Sequence, residues 1–448
     1  MTRLMGLIVL FLLAGLPPGQ AAQNESLKLS LSQAIEMALN NNSLIKEALE
    51  NEQGSLETKR SALAGFLPKA SLNYSFTGLS ETPFMYVEQP TATGSKTIKK
   101  DIGSDSAYHW DLTLIQPLFT GFALSTGYKM AELGIENQKL AKEIIYLEIA
   151  WKVKQAFFNV LLSQKVALVT EASVKNLKAH EKDAANFYNE GMIPYNDLLR
   201  SKVALADVIQ KMEKAKSNVK IAHAILNTLL ELDLNKNLEI EDPDNIPPIP
   251  DSLDKIVEGA LANRPELFML RLALKHLDFQ IKLAKSSDYP TIAMIGRYEQ
   301  NGDDLLATNN DFRNQYNSSL TLQASWTFFS GGKTRANTAK FRSDQRALKE
   351  KLKGLEKGIK LETQNAYINL KVAEKNIRTA KNALTQAGEN WRITNLQYQQ
   401  QIVSSTEVLD ARTFLSQAKT NYYSARYGYM ISMAELERAM GKKTNKNN

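Results

Sequence analysis

A strictly alternating stretch that runs straight into a very long proline-free one leaves a chain few folds to adopt. In Ser319-Leu320-Thr321-Leu322-Gln323-Ala324-Ser325-Trp326-Thr327-Phe328, polar and apolar residues alternate without a miss, the period of a strand with one oily and one wet face. Ser330-Gly331-Gly332 breaks the pattern, and no proline follows from Lys333 to Gln399. Apolar residues then recur three and four apart through Leu348, Leu352, Leu355 and Ile359, and again through Leu370, Ala373, Ile377, Ala380, Leu384, Ala387 and Trp391. This spacing predicts one helix of about 65 residues, roughly 100 Å long.

The pairing occurs twice. Trp110-Asp111-Leu112-Thr113-Leu114-Ile115-Gln116-Pro117-Leu118-Phe119-Thr120-Gly121 precedes a second proline-free run that reaches Pro194. Leu31, Glu36, Ala38, Leu39, Asn41 and Pro68 match Leu253, Glu258, Ala260, Leu261, Asn263 and Pro290 at a constant spacing of 222. Beyond the strands the spacing falls to 210, where Phe119, Gly121, Tyr188, Leu199 and Leu226 match Phe329, Gly331, Tyr398, Leu409 and Leu436. The 12-residue difference lies in the turn between two strands, so the helices have equal length in both halves. Equal helices with a variable turn are expected when helices pack side by side and a turn projects freely. The sequence thus predicts a mainly α chain built from a duplicated unit of helix, β-hairpin, long helix and helix.

The chain divides accordingly. Residues 1–22 read as a secretory signal, with Arg3, an apolar run from Leu4 to Leu16 too short to span a bilayer, and small residues at Ala21-Ala22. Residues 23–231 form the first repeat, 232–252 a linker with Pro243, Pro247, Pro248 and Pro250, 253–441 the second repeat, and 442–448 a basic tail expected to be disordered. Leu79 to Ala107, with Pro83, Pro90, Gly94 and Gly103, reads as an exposed loop. In the first long helix Leu133, Leu140, Leu147, Leu161 and Leu168 repeat at sevens, interrupted by Lys154. Asn196 or Asp197 is placed to cap the helix that follows Pro194.

Few residues suggest chemistry. Cysteine is absent, which excludes disulfides and a lipid on an N-terminal cysteine. The formal net charge of +7, with Lys and Glu interleaved on helices, describes solvated helix faces and not a nucleic-acid footprint. Gly331-Gly332-Lys333-Thr334 lacks the first glycine of a phosphate loop, since Thr327 stands there. His109, His180, His223 and His276 have no metal-ligand spacing and read as surface or lumen residues. Nothing supports catalysis or a cofactor. Glu407 and Asp410 lie three apart at a helix start, hence on one face: they either serve the helix terminus or, in a symmetric oligomer, form rings of negative charge.

Four strands of about ten residues match the length that crosses a membrane, but cannot close a barrel alone. Several chains are therefore expected to share one barrel. Leu112, Leu320, Leu322, Ala324 and Trp326 are expected to face lipid, and Thr321, Gln323 and Ser325 the lumen or a neighbouring side chain.

In its duplicated plan, in Phe119-Thr120-Gly121 and Phe329-Ser330-Gly331-Gly332, and in the turn segments Tyr188 to Leu199 and Tyr398 to Ala411, the mature chain resembles the outer membrane efflux protein family, the TolC-like channels. The resemblance implies a homotrimer whose twelve strands form one outer-membrane β-barrel, continued by a long α-helical tunnel across the periplasm. It implies an exit duct for efflux or type I secretion, fed by an inner-membrane transporter through a periplasmic adaptor. Asp197 and Tyr398 then match positions that hold the entrance coils together, and Glu407 and Asp410 match an acidic constriction. Gly191, Met192, Ile193, Pro194, Gln401, Ile402, Val403 and Ser404 match the tip that the adaptor contacts. The chain departs from the family pattern at Pro194 and at Gln401, where glycine is usual. The alternative is a periplasmic coiled-coil tether without a pore, which has no use for two membrane-length amphipathic hairpins.

Overall fold

The computed structural model describes residues 27–442 except 244, 250, 251 and 313. The expected signal at 1–22 and the tail beyond Lys442 lie outside them. Among the described residues the order is β1 (Leu27–Leu29), α1 (Leu31–Asn41), α2 (Ser43–Ala64), β2 (Lys69–Gly78), β3 (Phe84–Thr91), β4 (Gly94–Asp101), β5 (Ser106–Thr120), α3 (Ala123–Asn189) and α4 (Tyr195–Leu229). It continues with β6 (Leu238–Ile240), α5 (Leu253–Asn263), α6 (Pro265–Lys285), a 3-10 turn, β7 (Thr291–Gly302), β8 (Tyr316–Ser325), α7 (Lys333–Gln399) and α8 (Ser405–Ala439). The duplication holds to the residue: α3 and α7 each have 67 residues, and α4 and α8 each have 35.

Even the unusual backbone angles repeat. Gly121 and Gly331 have φ of 58° and 61°, and Gly191 and Gln401 have 73° and 60°. Both long helices close with the same pair of bonds: Gly191 N–H to Tyr188 O and Met192 N–H to Phe187 O in one half, Gln401 N–H to Tyr398 O and Ile402 N–H to Gln397 O in the other. This is the Schellman C-terminus, whose left-handed residue is ordinarily glycine. Gln401 adopts it regardless, so its departure from glycine leaves the course of the turn unchanged.

The chain forms two compact units. One comprises 36–155, 247–383 and 428–442 and contains the four-stranded antiparallel sheet β2-β5-β7-β8. Cross-strand partners share a face, which puts Leu72, Leu112, Tyr298 and Ser318 together, and likewise Ala70, Leu114, Gly296 and Leu320. This apolar face is the exposed one, with Leu72 at 69%, Leu320 at 74% and Leu322 at 69%. On the opposite, more polar face only the middle of β5 is closed, with Asp111 7% and Thr113 5% exposed, while Asn73, Arg297, Thr321 and Gln323 remain exposed. There Asp111 accepts from Thr113 Oγ1 at 2.6 Å and from Asn73 Nδ2 at 3.2 Å, while His109 Nδ1 meets Asn301 Oδ1 at 2.8 Å. The sheet is therefore the inverse of a water-soluble one.

Aromatic residues collect at both ends of these strands. Phe76 and Tyr108 lie 4.7 Å apart and Trp110 and Tyr298 5.3 Å apart, by ring centroids, at one end. At the other, Phe119, Phe122 and Tyr289 stack edge to face. Helix packing in this unit centres on Ala260, Leu267 and Ile359, all closed to solvent.

Several expectations are corrected. Residues 79–107 are not an open loop: β3 and β4 form a hairpin, extended by Ile102 N–H to Pro83 O at 2.8 Å. Pro83, Pro90 and Gly94 sit at its base and turn, so turn residues there mark a hairpin. The strand expected to run to Phe329 stops at Ser325, because its partner Thr291 follows Pro290 and offers no further ladder. Trp326 lies outside it and donates its indole N–H to Asp288 O at 3.0 Å. In the long helix Lys154 pairs with Glu437 at 2.5 Å, whereas Leu168, expected on the seam, is exposed.

The second unit comprises 27–35, 156–246 and 384–427. In it β1 pairs in parallel with β6, so residues 232–252 are not a bare linker. Asp242 anchors that segment through Tyr427 Oη at 2.8 Å, Lys165 Nζ at 3.0 Å and Arg426 Nη2 at 3.3 Å. Asn227 Nδ2 further holds the turn by donating to Leu234 O and Lys236 O.

Gly121 and Gly331 offer a controlled comparison. An added Cβ at Gly121 would stand 2.4 Å from Ser286 O, whereas nothing lies within 4 Å at Gly331. Both Ala variants carry the left-handed penalty of about 1–2 kcal/mol. Gly121→Ala is therefore expected to lower thermal stability clearly more than Gly331→Ala, and equal shifts in calorimetry would contradict this packing.

Candidate functional site

The residues expected at a gate converge within the second unit, where the α3–α4 turn lies beside the α7–α8 turn. Gln401 Nε2 donates to Met192 Sδ at 3.1 Å, and Arg200 Nη1 to Thr406 Oγ1 at 2.9 Å, so the turns are joined. Met192 and Ile402 project into solvent, while Ile193 and Val403 are half-buried; Gly191, Pro194, Gln401 and Ser404 are exposed.

Asn196 and Asp197 do not cap α4. Pro194 occupies the N-cap without a side-chain bond, and its fixed φ already suits helix entry. Asp197 sits one turn in, where its charge favours the helix dipole. At α8 the acid does serve the terminus: Glu407 Oε1 accepts from Ser404 Oγ at 3.4 Å and from Ser404 N–H at 3.5 Å, a long capping box. Glu407 and Asp410 are nevertheless exposed on one side of α8, and Val408 is buried on the other. The acids thus remain free to face an opening.

Tyr398 is buried. Its ring packs 4.9 Å from His180 and 5.7 Å from Phe187 by centroids. Its buried hydroxyl has no partner of hydrogen-bond geometry within the chain, Asp197 included, although Ser405 lies near it. Burial raises its pKa, the nearby Ser405 hydroxyl holds the rise back, and Asp183 and Asp197 add to it. Ser405 Oγ itself is taken up by His180 Nε2 at 2.9 Å and Ser201 Oγ at 3.3 Å.

His180, read from sequence as a surface or lumen residue, is 3% exposed. With Ser201 of α4, Tyr398 of α7 and Ser405 of α8 it forms a buried knot across four helices. No motif marks it, since its partners lie up to 225 positions away. Burial, and secondarily Arg412, lowers its pKa to about 4. Among the described residues no cluster of acids and histidines has metal-binding geometry, and no helix is long and apolar enough to cross a membrane.

A four-stranded sheet with an exposed apolar face and, in the other unit, two joined helix turns are the features that the comparisons with known proteins address. Residues 256–442 match the family model described as Outer membrane efflux protein. It is 21% identical over 296 residues to outer membrane protein TolC of Salmonella enteritidis, a match covering 64% of this chain and 59% of the relative. The matched part thus spans only about six-tenths of the relative's length. The crystal structure of the Campylobacter jejuni CmeC outer membrane channel superposes with a TM-score of 0.77 at 15% identity, covering 93% of this chain and 87% of that one. The open-state Neisseria gonorrhoeae MtrE outer membrane channel gives 0.72 at 16% identity, with 93% and 91% covered. These likenesses establish the fold.

His180 implies a pH dependence. Its folded pKa, about 4, lies below the ordinary 6.5, so between these values the unfolded turn region binds a proton that the folded one refuses. Stability is complete above pH 6.5 and declines as pH falls toward 4, by about 2 kcal/mol at pH 5. Amide exchange at Gln401 and Ile402, corrected for intrinsic rates, should accelerate at pH 5 relative to pH 7 in wild type. In His180→Asn the acceleration should vanish; its persistence would contradict the assignment.

Proposed function

We propose that the chain is one third of an outer-membrane exit duct, which passes substrates delivered by an inner-membrane transporter and a periplasmic adaptor to the cell exterior. One observation carries the reading: the sheet exposes leucines and covers Asp111 and Thr113. In water such a sheet loses the hydrophobic term that would hold it, whereas in lipid the arrangement is the favourable one. The aromatic clusters at both strand ends suit the two membrane interfaces. Because β2 and β8 are free edges of a four-stranded sheet, three copies close twelve strands with no edge left unpaired, and even-numbered closure satisfies every backbone group in lipid. The long helices then continue as the periplasmic tunnel. A duct of this kind needs neither a cofactor nor catalytic groups, and the chain is not an enzyme.

In this reading the joined turns form the periplasmic entrance. Exposed Met192 and Ile402, with Gly191, Ile193, Pro194, Gln401, Val403 and Ser404 around them, present the adaptor-binding tip. Glu407 and Asp410 become rings of carboxylates at the narrowest point, where they concentrate cations. Asp197 and Tyr398 hold the closed entrance. Tyr398 does so by packing against His180 and Phe187, since its hydroxyl has no partner.

The purified protein should fractionate with outer membranes, run as a trimer in mild detergent and conduct in planar bilayers. Glu407→Gln with Asp410→Asn should reduce cation selectivity. Tyr398→Ala should raise single-channel conductance, whereas Tyr398→Phe should leave it near wild type. A soluble periplasmic monomer would instead support the pore-free tether, and unchanged selectivity in the acid-free variant would remove Glu407 and Asp410 from the opening.

A further inference from the structure

A cavity of about 300 Å³ lies among α3, α4, α7 and α8 in the second unit, at the low end of the size range of small-molecule sites. All four helices come from one chain, so the site is complete within a protomer. Its charged lining residues are Asp207, Lys211, Arg412 and Lys419, three cations against one carboxylate. Lys211 is paired with Asp207 at 2.7 Å. Arg412 and Lys419 have no ion pair among the described residues.

Arg412 is the unusual member. Its guanidinium lies 5.4 Å from the Trp391 ring centroid, and burial is the main influence on it, lowering its pKa, with Asp183 only partly compensating. Arg412 Nε and Trp391 Nε1 are both sealed from water without an acceptor. Those two atoms do not open into the cavity, but a largely buried guanidinium with no carboxylate partner is costly unless an anion reaches its terminal nitrogens. The remaining lining mixes apolar side chains, among them Val169, Leu177 and Val208, with polar ones that include Asn176, Gln417 and the hydroxyl pair Ser173–Ser416, bonded at 2.7 Å between α3 and α8. Cationic donors together with apolar side chains suit an amphiphilic anion, and guanidinium matches carboxylate in a bidentate fork.

We propose that this cavity binds a small aromatic carboxylate, its carboxylate on Arg412 with Lys419 nearby, and its ring against Val169, Leu177 and Val208. A ligand so placed touches all four helices and ties α3 and α4 to α7 and α8. Glu407 and Asp410 are not among its lining residues, and binding at it does not depend on the protein conducting.

The test is calorimetric titration of 2-naphthoate into the full-length assembled protein in lipid nanodiscs, with empty nanodiscs as the blank. The expected result is saturable binding at one site per chain, at least tenfold weaker for the neutral 2-naphthamide and for Arg412→Gln. Ala204→Trp, which fills the cavity and keeps every charge, should abolish binding with circular dichroism unchanged. If Arg412→Gln does not fold, the amide and Ala204→Trp decide. Absence of saturable heat, equal affinity for acid and amide, or undiminished binding to Ala204→Trp would overturn the site.

Discussion

The structure depends on a sheet turned inside out. On the polar face, Asp111 is bonded by Asn73 and Thr113 and closed off; on the other, leucines and aromatic rings stand in the open. A burial pattern of this sign is stable only where the surrounding medium is apolar. An apolar medium also disfavours open edges, and the proposed sharing of one barrel by several chains would pair the free sides of β2 and β8. A long helix follows each hairpin, and the two are equal in length, as expected of helices that pack in pairs and must end level.

That levelness explains why the duplication is so exact in the helices and lax elsewhere. The helix bounds repeat at a spacing of 210, and the left-handed residues closing them repeat as well, including Glu231 at 56° and Gly441 at 64°. Variation collects instead in the turn between β2 and β5, where the first half carries the whole β3–β4 hairpin. Gln401 shows the order of priorities: the helix terminus keeps its Schellman bonds although the side chain disfavours the angle. The turns are joined at the surface by Gln401 to Met192 and Arg200 to Thr406, and beneath them by the buried contacts of His180 and Ser201 with Ser405.

The plan of the fold was legible because its signals are long-range regularities: alternation at period two, apolar spacing of three and four, and two constant offsets between halves. The α7 limits, Lys333 to Gln399, follow directly from glycines and the absence of proline. Short features carried no such signal. The β1–β6 pair is three residues long on each strand and joins segments about 210 positions apart, and the proline-rich composition around it concealed its packing. Of the site, the exposed acids Glu407 and Asp410 could be placed on one face from spacing alone. His180 could not, since a buried histidine is defined by neighbours on other helices, and the burial of the Tyr398 hydroxyl is likewise set by residues far away in sequence.

The inverted sheet is tested most directly by placing a charge on each of two neighbouring residues of β8. Leu322 belongs to the exposed apolar face and Gln323 to the polar one. Leu322→Arg should cost about 2–4 kcal/mol if it lies near the bilayer midplane and sharply reduce the yield of detergent-resistant trimer from outer membranes, while Gln323→Arg should assemble almost normally. Equal losses for the two variants, or the reverse order, would contradict a lipid-facing apolar surface and with it the barrel.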